Sequence, residues 1–434
     1  MSEMNRNRRR MMNAQFDPII KIKVIGVGGG GCNAIEGMVR DGVRGVDFIA
    51  ANTDLQQLQS QTVDTLLLGE NVTKGLGAGG NPEVGEEAAL DTLDEIRAKL
   101  NGANMVFIAV GLGGGTGTGA APVIARVAKE EVGCLTIAVA TLPFEFERGR
   151  IDIAYEGLQQ LKKECDGVVI ISNQKISEVL GNVPMIEGFK EADSNLRRFV
   201  QSVSDIISKV AHINIDFADI KSVLENSGVV LFGIATEEID DIEEDVEMLV
   251  AKTLDNPLLL SDIRNARGVI VNITHAPDIV TNVHQSILDV VEKRISQSKD
   301  TRFFWGVSIN EKLGPSQVIL TIIGSNFNDE EIDLGDGEHT ISAGPIEDSS
   351  DYETVDETVD RSINSGYREP RVIFDEDEIF GTTSISKKSS FSHTFNKKRS
   401  KSGSTRSPLK KPSLFKQSKR KKTNKKSGSF WWNK

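Results

Sequence analysis

Short apolar runs alternate with segments of helical spacing along the chain, and both patterns fade after residue 327. Apolar runs bounded by glycine or polar residues predict buried strands, and apolar positions that repeat at helical spacing predict helices. The predicted strands are Ile20–Val27, Val46–Ala51, Thr65–Leu68, Met105–Val110, Leu135–Thr141, Gly167–Ile171, Val229–Ile234, Gly268–Ile273, Phe303–Ile309 and Ser316–Ile323. The predicted helices are Asn33–Arg40, Pro82–Leu100, Ala120–Glu130, Ile151–Glu164, Met185–Val210, Phe217–Glu225, Asp241–Thr253 and Ile279–Ser296. This alternation is typical of an α/β fold, in which helices cover both faces of a parallel sheet.

The same patterns divide the chain into two α/β domains, a long helix between them and a tail. Residues Asp329 to Phe380 carry 18 acidic and 3 basic side chains, whereas Gly381 to Lys434 carry 17 basic and no acidic ones. Because such segments have few apolar side chains to bury, we expect them to be disordered. The predicted segments are a flexible N-terminal stretch 1–17, a first domain 18–184, a central helix 185–210, a second domain 211–327, an acidic disordered linker 328–380 and a basic disordered tail 381–434.

The composition argues against secreted and membrane-spanning proteins. With 434 residues, 38% hydrophobic side chains and a net charge of −12, the chain is long and apolar enough for a sizeable core. Its three cysteines are widely spaced and odd in number, which favours a reducing cytoplasm over a disulfide framework. No apolar run approaches the length of a membrane span, and the arginines near the N-terminus precede no apolar core of signal-peptide length.

The first predicted strand runs into Gly26–Asn33, which reads GVGGGGCN and opens the first helix. Glycines let backbone N–H groups approach an anion, and a helix N-terminus adds a positive dipole end, so this segment is typical of a phosphate site. Gly26, Gly28 and Gly31 also fit the G-x-G-x-x-G pattern of dinucleotide-binding proteins. Taken alone, the segment therefore leaves a dinucleotide-dependent oxidoreductase open.

A second glycine segment, Gly111–Gly119, reads GLGGGTGTG, follows another apolar strand and opens another helix. The carboxyl ends of parallel strands lie at one edge of a sheet, so the two segments are expected to hold a polyphosphate from two sides. No G-x-x-x-x-G-K-[ST] motif occurs, so the chain lacks a P-loop lysine. Backbone dipoles and a cation would then neutralise the phosphates; the alternative is a pair of flexible turns.

Further motifs accompany the second glycine segment, in which Gly113–Gly119 reads GGGTGTG. They are ANTD at 51–54, TKGLGAG at 73–79, NP at 81–82, PFEFE at 143–147 and NIDFAD at 214–219. Through these motifs the chain resembles the FtsZ family, bacterial relatives of tubulin, from Ile20 to Gly324. The resemblance implies a tubulin-like fold: a Rossmann-type parallel-sheet GTP-binding domain, a long central helix and a second α/β domain. It also implies a self-assembling GTPase whose filaments form the cell-division ring.

The resemblance further implies which residues bind GTP or GDP. Those expected around the phosphates are Gly29, Gly30, Gly31, Cys32 and Asn33 at the diphosphate, Gly115, Thr116 and Gly117 opposite them, and Ala78 and Gly79 at the terminal phosphate. Those expected around the ribose and its phosphates are Glu147, Arg150 and Asn173, and those around the guanine are Phe189 and Asp193.

Two of these assignments leave alternatives open. An aspartate can accept from the N1–H and 2-amino groups of guanine, a donor pair that adenine lacks; the alternative is that Asp193 is a solvated helix carboxylate, which the residue alone favours over a base contact. The chain also has Arg148 where the family has glycine. Whether Arg148 or Arg150 contacts the nucleotide therefore stays open.

Candidate catalytic residues lie in the NIDFAD motif. None of the five histidines forms a metal-ligand pattern or a nucleophile pair, so no protein metal site is expected. Hydrolysis of a terminal phosphate needs an oriented water and charge stabilisation, which carboxylates and Mg²⁺ held with the nucleotide can supply. Asp216 and Asp219 share one face at the start of a predicted helix, with Asn214 just before them. The alternative is that Asn214 or Asp216 simply caps the helix.

The resemblance places this motif far from the chain's own nucleotide and against the GTP of the next subunit. Each active site would then be shared between two subunits, and a head-to-tail contact of this kind generates an open filament. Hydrolysis would depend on assembly. A tubulin-like scaffold that does not hydrolyse GTP is the remaining alternative.

The tail suggests partners other than a second copy of the chain. Family members bind membrane tethers and division regulators through a short C-terminal peptide, to which Pro412–Phe415 is loosely similar. The basic residues around it and the terminal Phe430-Trp431-Trp432 are also suited to direct contact with an anionic membrane. Nucleic acid is an alternative partner for this basic segment, and the chain's own acidic linker is another. The expected location is the cytoplasm, at the midcell division ring near the inner face of the membrane.

Overall fold

The computed structural model describes residues 20–181, 184–208, 212–295, 301–327, 331–334 and 339–344. All of them belong to one unit, Met1–Glu353. The predicted N-terminal stretch 1–17, the basic tail 381–434 and residues 345–380 of the predicted linker lie outside the described residues.

Ten strands form one mixed sheet. They are β1 (Ile22–Val27), β2 (Asp47–Asn52), β3 (Asp64–Leu67), β4 (Met105–Gly111), β5 (Leu135–Leu142), β6 (Gly167–Ser172), β7 (Gly228–Glu238), β8 (Gly268–His275), β9 (Arg302–Ile309) and β10 (Gln317–Ser325). Their order is β3-β2-β1-β4-β5-β6-β7-β10-β8-β9. All neighbours from β3 to β7 are parallel, β10 is antiparallel to β7 and β8, and β9 is parallel to β8. The predicted α/β fold with a mostly parallel sheet is confirmed.

Twelve α-helices are seen in the described part of the chain. They are α1 (Gly28–Arg40), α2 (Leu55–Gln59), α3 (Glu70–Thr73), α4 (Pro82–Asp91), α5 (Leu93–Leu100), α6 (Gly115–Arg126), α7 (Arg148–Glu164), α8 (Asn173–Leu180), α9 (Met185–Ser208), α10 (Phe217–Leu224), α11 (Ile242–Leu254) and α12 (Thr281–Arg294). A π-helical turn, Val127–Val132, continues α6, and a short 3₁₀ turn covers Ile263–Asn265.

Several predicted helices differ from those observed; α6, for example, begins at Gly115, five residues before its predicted start. Helix α1 begins at Gly28, five residues before its predicted start, because the glycines that hide a helix in the sequence form its first turn. The helix predicted at 82–100 is two helices. They meet at Thr92, whose hydroxyl donates to the Ala88 carbonyl and accepts from the Gly69 N–H. This bond to the neighbouring loop fixes the break.

The long helix α9 is buried against the sheet and joins its two halves. Its apolar residues Leu196, Phe199, Val200 and Val203 follow helical spacing and are all buried. Phe199 packs edge to face on Phe107 of β4, with ring centroids 5.9 Å apart, and also on Phe232 of β7, at 5.3 Å. Helices α1, α9 and α10 cover this face of the sheet, and α4 to α7, α11 and α12 cover the other.

A small hairpin corrects the expectation that disorder begins at residue 328. Strands β11 (Glu331–Asp333) and β12 (Thr340–Ser342) pair in antiparallel register. Their inward side chains, Ile332 and Ile341, are buried, and the hairpin is tied to the body by the Lys162 ammonium, which donates to the Ser342 carbonyl. Alternating apolar positions indicate a strand with one buried face. Here the many acidic residues between them made the segment read as disordered in the sequence.

Two expectations from composition can be compared with the described residues. All three cysteines are buried free thiols, as the argument against a disulfide framework predicted. Among the described helices, none combines the length and the apolar character needed to cross a bilayer.

Candidate nucleotide-binding site

Strand β1 ends at Val27 and α1 begins at Gly28, and the glycines of the first turn of α1 bring two chain segments into contact. Gly28 has φ +70° and would, with a Cβ, lie 2.8 Å from the Gly117 nitrogen. A Cβ on Gly31 would lie 2.2 Å from the Ala109 carbonyl oxygen of β4. Since real Cβ atoms do not approach so closely, these positions require glycine. The start of α1 is therefore pressed against the second glycine segment.

The second glycine segment opens α6 and is packed just as closely. A Cβ on Gly117 would lie 2.6 Å from the Gly111 carbonyl oxygen. The hydroxyls of Thr116 and Thr53 share a hydrogen bond of 2.6 Å. The predicted Gly115, Thr116 and Gly117 are thus brought beside the predicted Gly29 to Gly31.

A third segment, Ala78–Asn81, completes the arrangement. A Cβ on Gly115 would lie 2.9 Å from the Ala78 Cβ and 2.8 Å from the Asn81 nitrogen. Gly79, with φ +61°, is exposed and has no protein atom near the place of its missing Cβ. The three segments Gly28–Asn33, Ala78–Asn81 and Gly111–Gly119 are called the glycine cradle below.

The helices of the glycine cradle present unneutralised positive ends. No side chain caps α1 or α6, and neither has an acidic residue in its first turn. The first N–H groups of a helix have no partner within it, and the helix dipole adds partial positive charge there. Two such ends beside each other form an anion site built from backbone.

Cys32 is predicted to line the diphosphate, but its side chain does not face the glycine cradle. Its side chain is buried, with Sγ 3.7 Å from the carbonyl oxygens of Gly26 and Ala51, and burial raises the pKa of the thiol to about 12. The side chain therefore points into the core, and Cys32 could meet a phosphate only through its backbone N–H. Asn33, by contrast, is exposed.

The predicted base-binding residues lie at the start of α9. Phe189 is 39% exposed and packs edge to face on Phe144, with ring centroids 5.1 Å apart. Burial raises the pKa of the Asp193 carboxyl to about 6, partly opposed by the charge of Arg40. Asn173, at the start of α8, is buried and its Oδ1 accepts no hydrogen bond from the described residues. A bound nucleoside would stack on Phe189 and supply hydrogen-bond donors to the Asp193 carboxylate and the Asn173 amide oxygen.

Glu147 and Arg150 form an ion pair of 2.8 Å at the start of α7. Glu147 also accepts a hydrogen bond of 3.2 Å from the Phe144 N–H, which fixes the loop below the aromatic rings. A Cβ on Gly113 would lie 2.8 Å from the Arg150 Cβ. Arg150 thus lies next to Gly113 of the glycine cradle, and Arg148 is the first residue of α7; both arginines are exposed.

The predicted catalytic residues lie in the loop 212–219, called the catalytic loop below. Asn214 and Asp216 are exposed. Asp216 caps α10, and its N–H donates to the Asp219 carboxylate at 3.1 Å, which completes a capping box. The cap that was the alternative role is therefore present, and it leaves the Asp216 carboxylate at the surface.

The catalytic loop is far from the glycine cradle of the same chain. Ile213 forms a β-bridge with Val307, so the loop starts beside the edge strand β9. Six strand spacings separate β9 from β4 in the sheet order, or about 29 Å at the usual spacing of about 4.8 Å. The structure brings the phosphate, ribose and base residues together and leaves the catalytic loop apart from them.

Comparison with known proteins identifies the family. A model of the GTPase domain of the Tubulin/FtsZ family matches residues 21–181, and a model of the FtsZ C-terminal domain matches residues 228–328. The cell division protein FtsZ of Mycoplasmopsis pulmonis is 43% identical over 324 residues, covering 73% of this chain and 81% of that protein. The chain belongs to the FtsZ family. FtsZ 1 of Archaeoglobus fulgidus is 42% identical over 304 residues, covering 70% and 81%.

A solved structure of an empty FtsZ dimer from M. jannaschii is 35% identical to this chain, with a TM-score of 0.68 over 79% of this chain and 97% of that one. As a member of the FtsZ family, the chain is a tubulin-like GTPase of cell division and binds guanine nucleotides. This assignment replaces the oxidoreductase that the first glycine segment alone left open.

Sequence reasoning assigned no role to the residues that hold the cradle of this FtsZ-family chain together. The Asn52 amide donates to Gln57 Oε1 at 2.6 Å, and the Gln57 amide would lie 3.3 Å from a Cβ on Gly29. The Thr53 carbonyl accepts from the Gly77 N–H at 3.1 Å and so holds the third segment. The signal was available, because ANTD spans the carboxyl end of β2, at the edge of the sheet that carries both glycine segments.

Proposed function

We propose that this chain is a GTP-dependent cytoskeletal GTPase that assembles head to tail into filaments of the cell-division ring, and that GTP is hydrolysed between successive subunits. The observation that carries the proposal is that the catalytic loop starts on the edge strand β9, six strand positions along the sheet from β4, whose end carries part of the glycine cradle. Neither half reaches the other within one chain. A second subunit, docked end to end, would supply the missing half.

The nucleotide would be bound by the groups that converge on the glycine cradle. Backbone N–H groups of Gly29 to Asn33 and of Gly115 to Gly117 would hold the diphosphate, with Ala78 and Gly79 at the terminal phosphate. Glu147, Arg150 and Asn173 would contact the ribose and phosphates. Phe189 would stack on the guanine, and the Asp193 carboxylate would accept from its N1–H and 2-amino groups.

Catalysis would come from the catalytic loop of the next subunit. Asp216 and Asp219 would orient a water molecule for in-line attack on the terminal phosphate, with Asn214 helping to position it. Mg²⁺ is expected with the nucleotide. The described residues contain no cluster of three side chains that could hold a metal ion, so its ligands would be mainly phosphate oxygens and water. Bound there, the ion would neutralise developing phosphate charge.

A contact between the glycine cradle of one subunit and the catalytic loop of the next joins two different surfaces. Such a heterologous contact leaves a free copy of each surface at the ends, so it propagates as an open filament. Self-association is supported by the solved M. jannaschii relative, which is a dimer. GTP turnover would therefore rise with assembly.

The remaining partners concern the tail, which lies outside the described residues. We expect membrane tethers and division regulators to bind it, near the inner face of the membrane at midcell. Co-sedimentation with anionic liposomes and with DNA, for the full chain and for a chain ending at residue 380, separates a membrane role of Phe430-Trp431-Trp432 from nucleic-acid binding. Equal pelleting of both chains on both ligands would exclude a direct role of the tail in either.

The test of the proposed function is to measure phosphate release and sedimentation together across protein concentration, with GTP and with ATP. We expect turnover per molecule to appear at the concentration where pelleting begins, with GTP only. A scaffold would pellet without releasing phosphate. Full turnover per molecule in dilute, monomeric protein would contradict a shared active site.

A further inference from the structure

A groove of about 570 Å³ opens at the amino ends of β1 and β2, the sheet edge opposite the glycine cradle. Its floor is apolar and consists of Val39, Val43, Val46, Phe48 and Val63. Each of these side chains is half-buried and packs on the core cluster beneath α1 and α9. None of the five is fully exposed, but because they line one groove, a single docked segment would cover all of them.

The charged rim of this groove is nearly balanced. The Lys23 ammonium donates to the backbone carbonyls of Lys99 and Asn101, and Lys99 pairs with Asp64. Asp47 is exposed and makes no ion pair within the described part of the chain. The floor is therefore complementary to an occupant with several apolar side chains, and Asp47 offers one carboxylate to a positive charge next to them.

The chain enters the described structure beside this groove. Ile20 is half-buried against the same apolar cluster, and Lys21 is held there by hydrogen bonds with Asn104 in both directions. The residues before Ile20 lie outside the described part of the chain. They include MMNAQF at 11–16, with three large apolar side chains, directly after arginines at 6 and 8–10.

We propose that residues 11–16 of the chain dock in this groove, with Met11, Met12 and Phe16 on its apolar floor and the preceding arginines near Asp47. The reach is sufficient. Phe16 is four residues and Met11 nine residues from Ile20, which corresponds to about 13 to 30 Å of extended chain. Three neighbouring strands, β1 to β3, span only about 10 Å.

The chain's own segment is favoured over a second copy by its tether. A short tether holds a segment near its site at an effective concentration of about millimolar, well above that of free protein in a dilute sample. The groove shares no residue with the glycine cradle or the catalytic loop. Docking is thus independent of the proposed function, and GTP binding serves as the check that each variant is folded.

Thiol labelling tests the proposal in the full chain. The native thiols react slowly, because burial raises the pKa of Cys32 to about 12 and also raises the pKa of Cys134 and Cys165. Val46→Cys places one accessible thiol on the floor of the groove. Ser60→Cys, at an exposed position outside the groove, is the matched control.

We expect Val46→Cys to label about tenfold more slowly in the full chain than in chains that lack residues 1–16 or carry Phe16→Asp, because a groove covered roughly nine-tenths of the time exposes its thiol in the remainder. Gln15→Asp should leave the slow rate unchanged, and Ser60→Cys should label equally in every background. Val63→Cys repeats the measurement if Val46→Cys fails to bind GTP. Equal labelling with and without residues 1–16 would overturn the proposal. Protection that disappears on dilution would overturn it in favour of a second copy.

Discussion

The glycine cradle and the catalytic loop differ in what they offer a nucleotide. The cradle offers backbone N–H groups, positioned by contacts that leave no room for a Cβ at Gly31 or Gly117. The catalytic loop offers carboxylates on an exposed helix cap, anchored mainly by the bridge from Ile213 to β9. The cradle is closely packed within a single chain, whereas the predicted catalytic carboxylates are not in contact with the predicted nucleotide site of the same chain. Binding and turnover should therefore be separable by mutation.

The two regions also have opposite electrostatic character. The first turns of α1 and α6 carry no acidic residue, so their positive ends are uncompensated. The first turn of α10 carries Asp219, with Asp216 at the cap. A head-to-tail contact would bring the negative end of one subunit towards the positive end of the next, with the nucleotide and its cation between them. Four predictions test how far the two regions are independent.

The largest effect is expected from Gly31→Ala. Its new Cβ would lie 2.2 Å from the Ala109 carbonyl oxygen, so β4 and α1 must separate, at a cost of about 3 kcal/mol or more. The matched control is Gly37→Ala in the same helix, where the nearest atom is the end of Arg40 at 3.6 Å. That variant should gain up to about 1 kcal/mol from helix propensity. Urea unfolding and GTP binding measure both; a Gly31→Ala chain with unchanged stability and affinity would contradict the close packing of the cradle.

The second prediction concerns Asp216→Ala and Asp219→Ala. Each should keep GTP affinity and lose turnover by about 10²-fold or more, because the water-positioning carboxylate is removed from the neighbouring site. Asp241→Ala is the control, since Asp241 caps α11 through hydrogen bonds from the Glu243 and Glu244 N–H groups and lies outside the catalytic loop. Asp241→Ala should remove a helix cap and leave GTP turnover unchanged. The measurement is phosphate release at a protein concentration that allows polymerisation. A normal rate in both loop variants would show that neither carboxylate is needed for hydrolysis.

These two regions also differ in how much of them the sequence could predict. Two glycine segments after two apolar runs were enough to predict a phosphate site, since parallel strands end at one edge. The start of α1 was missed because glycine is a poor helix former, and the break at Thr92 depends on a hydrogen bond to Gly69, which lies 23 residues away. The bridge between Ile213 and Val307 is likewise a long-range pairing that no local pattern reports.

The hairpin at β11 and β12 shows the limit of composition. A count of acidic residues predicted disorder from residue 328, but Ile332, Leu334 and Ile341 are buried. Only three or four apolar positions decide whether such a segment packs, and a strongly acidic average conceals them. The catalytic residues themselves were assigned by resemblance to a family, and their roles stay predictions.

The third prediction is a pH dependence that belongs to the cradle region alone. Below about pH 6 the half-buried Asp193 carboxyl is protonated, so it cannot accept from the guanine donors, and GTP affinity should fall about tenfold between pH 7 and pH 5. The empty protein should respond in the opposite sense. Its folded state binds the extra proton between the ordinary pKa of 3.8 and about 6, so its stability should fall as pH rises through that range.

Asp193→Asn provides the control for both trends, because it keeps the shape and cannot titrate. Any pH dependence of GTP affinity that survives in this variant belongs to the phosphates of the nucleotide. Fluorescent-nucleotide titrations and urea unfolding across pH 5 to 8 measure the two trends. Identical pH profiles for the native chain and the variant would exclude Asp193 as the guanine acceptor.

The smallest effect is expected at the hydrogen bond between the hydroxyls of Thr53 and Thr116, which are 2.6 Å apart. If this bond only positions the second glycine segment, Thr53→Val and Thr116→Val should each weaken GTP binding about fivefold, equivalent to about 1 kcal/mol, and the double variant should lose no more than either. If the Thr116 hydroxyl also touches a phosphate, Thr116→Val should cost more than Thr53→Val. Losses that simply add would mean that the two hydroxyls act separately, and the cradle would then be less of a single rigid unit than its close glycine contacts indicate.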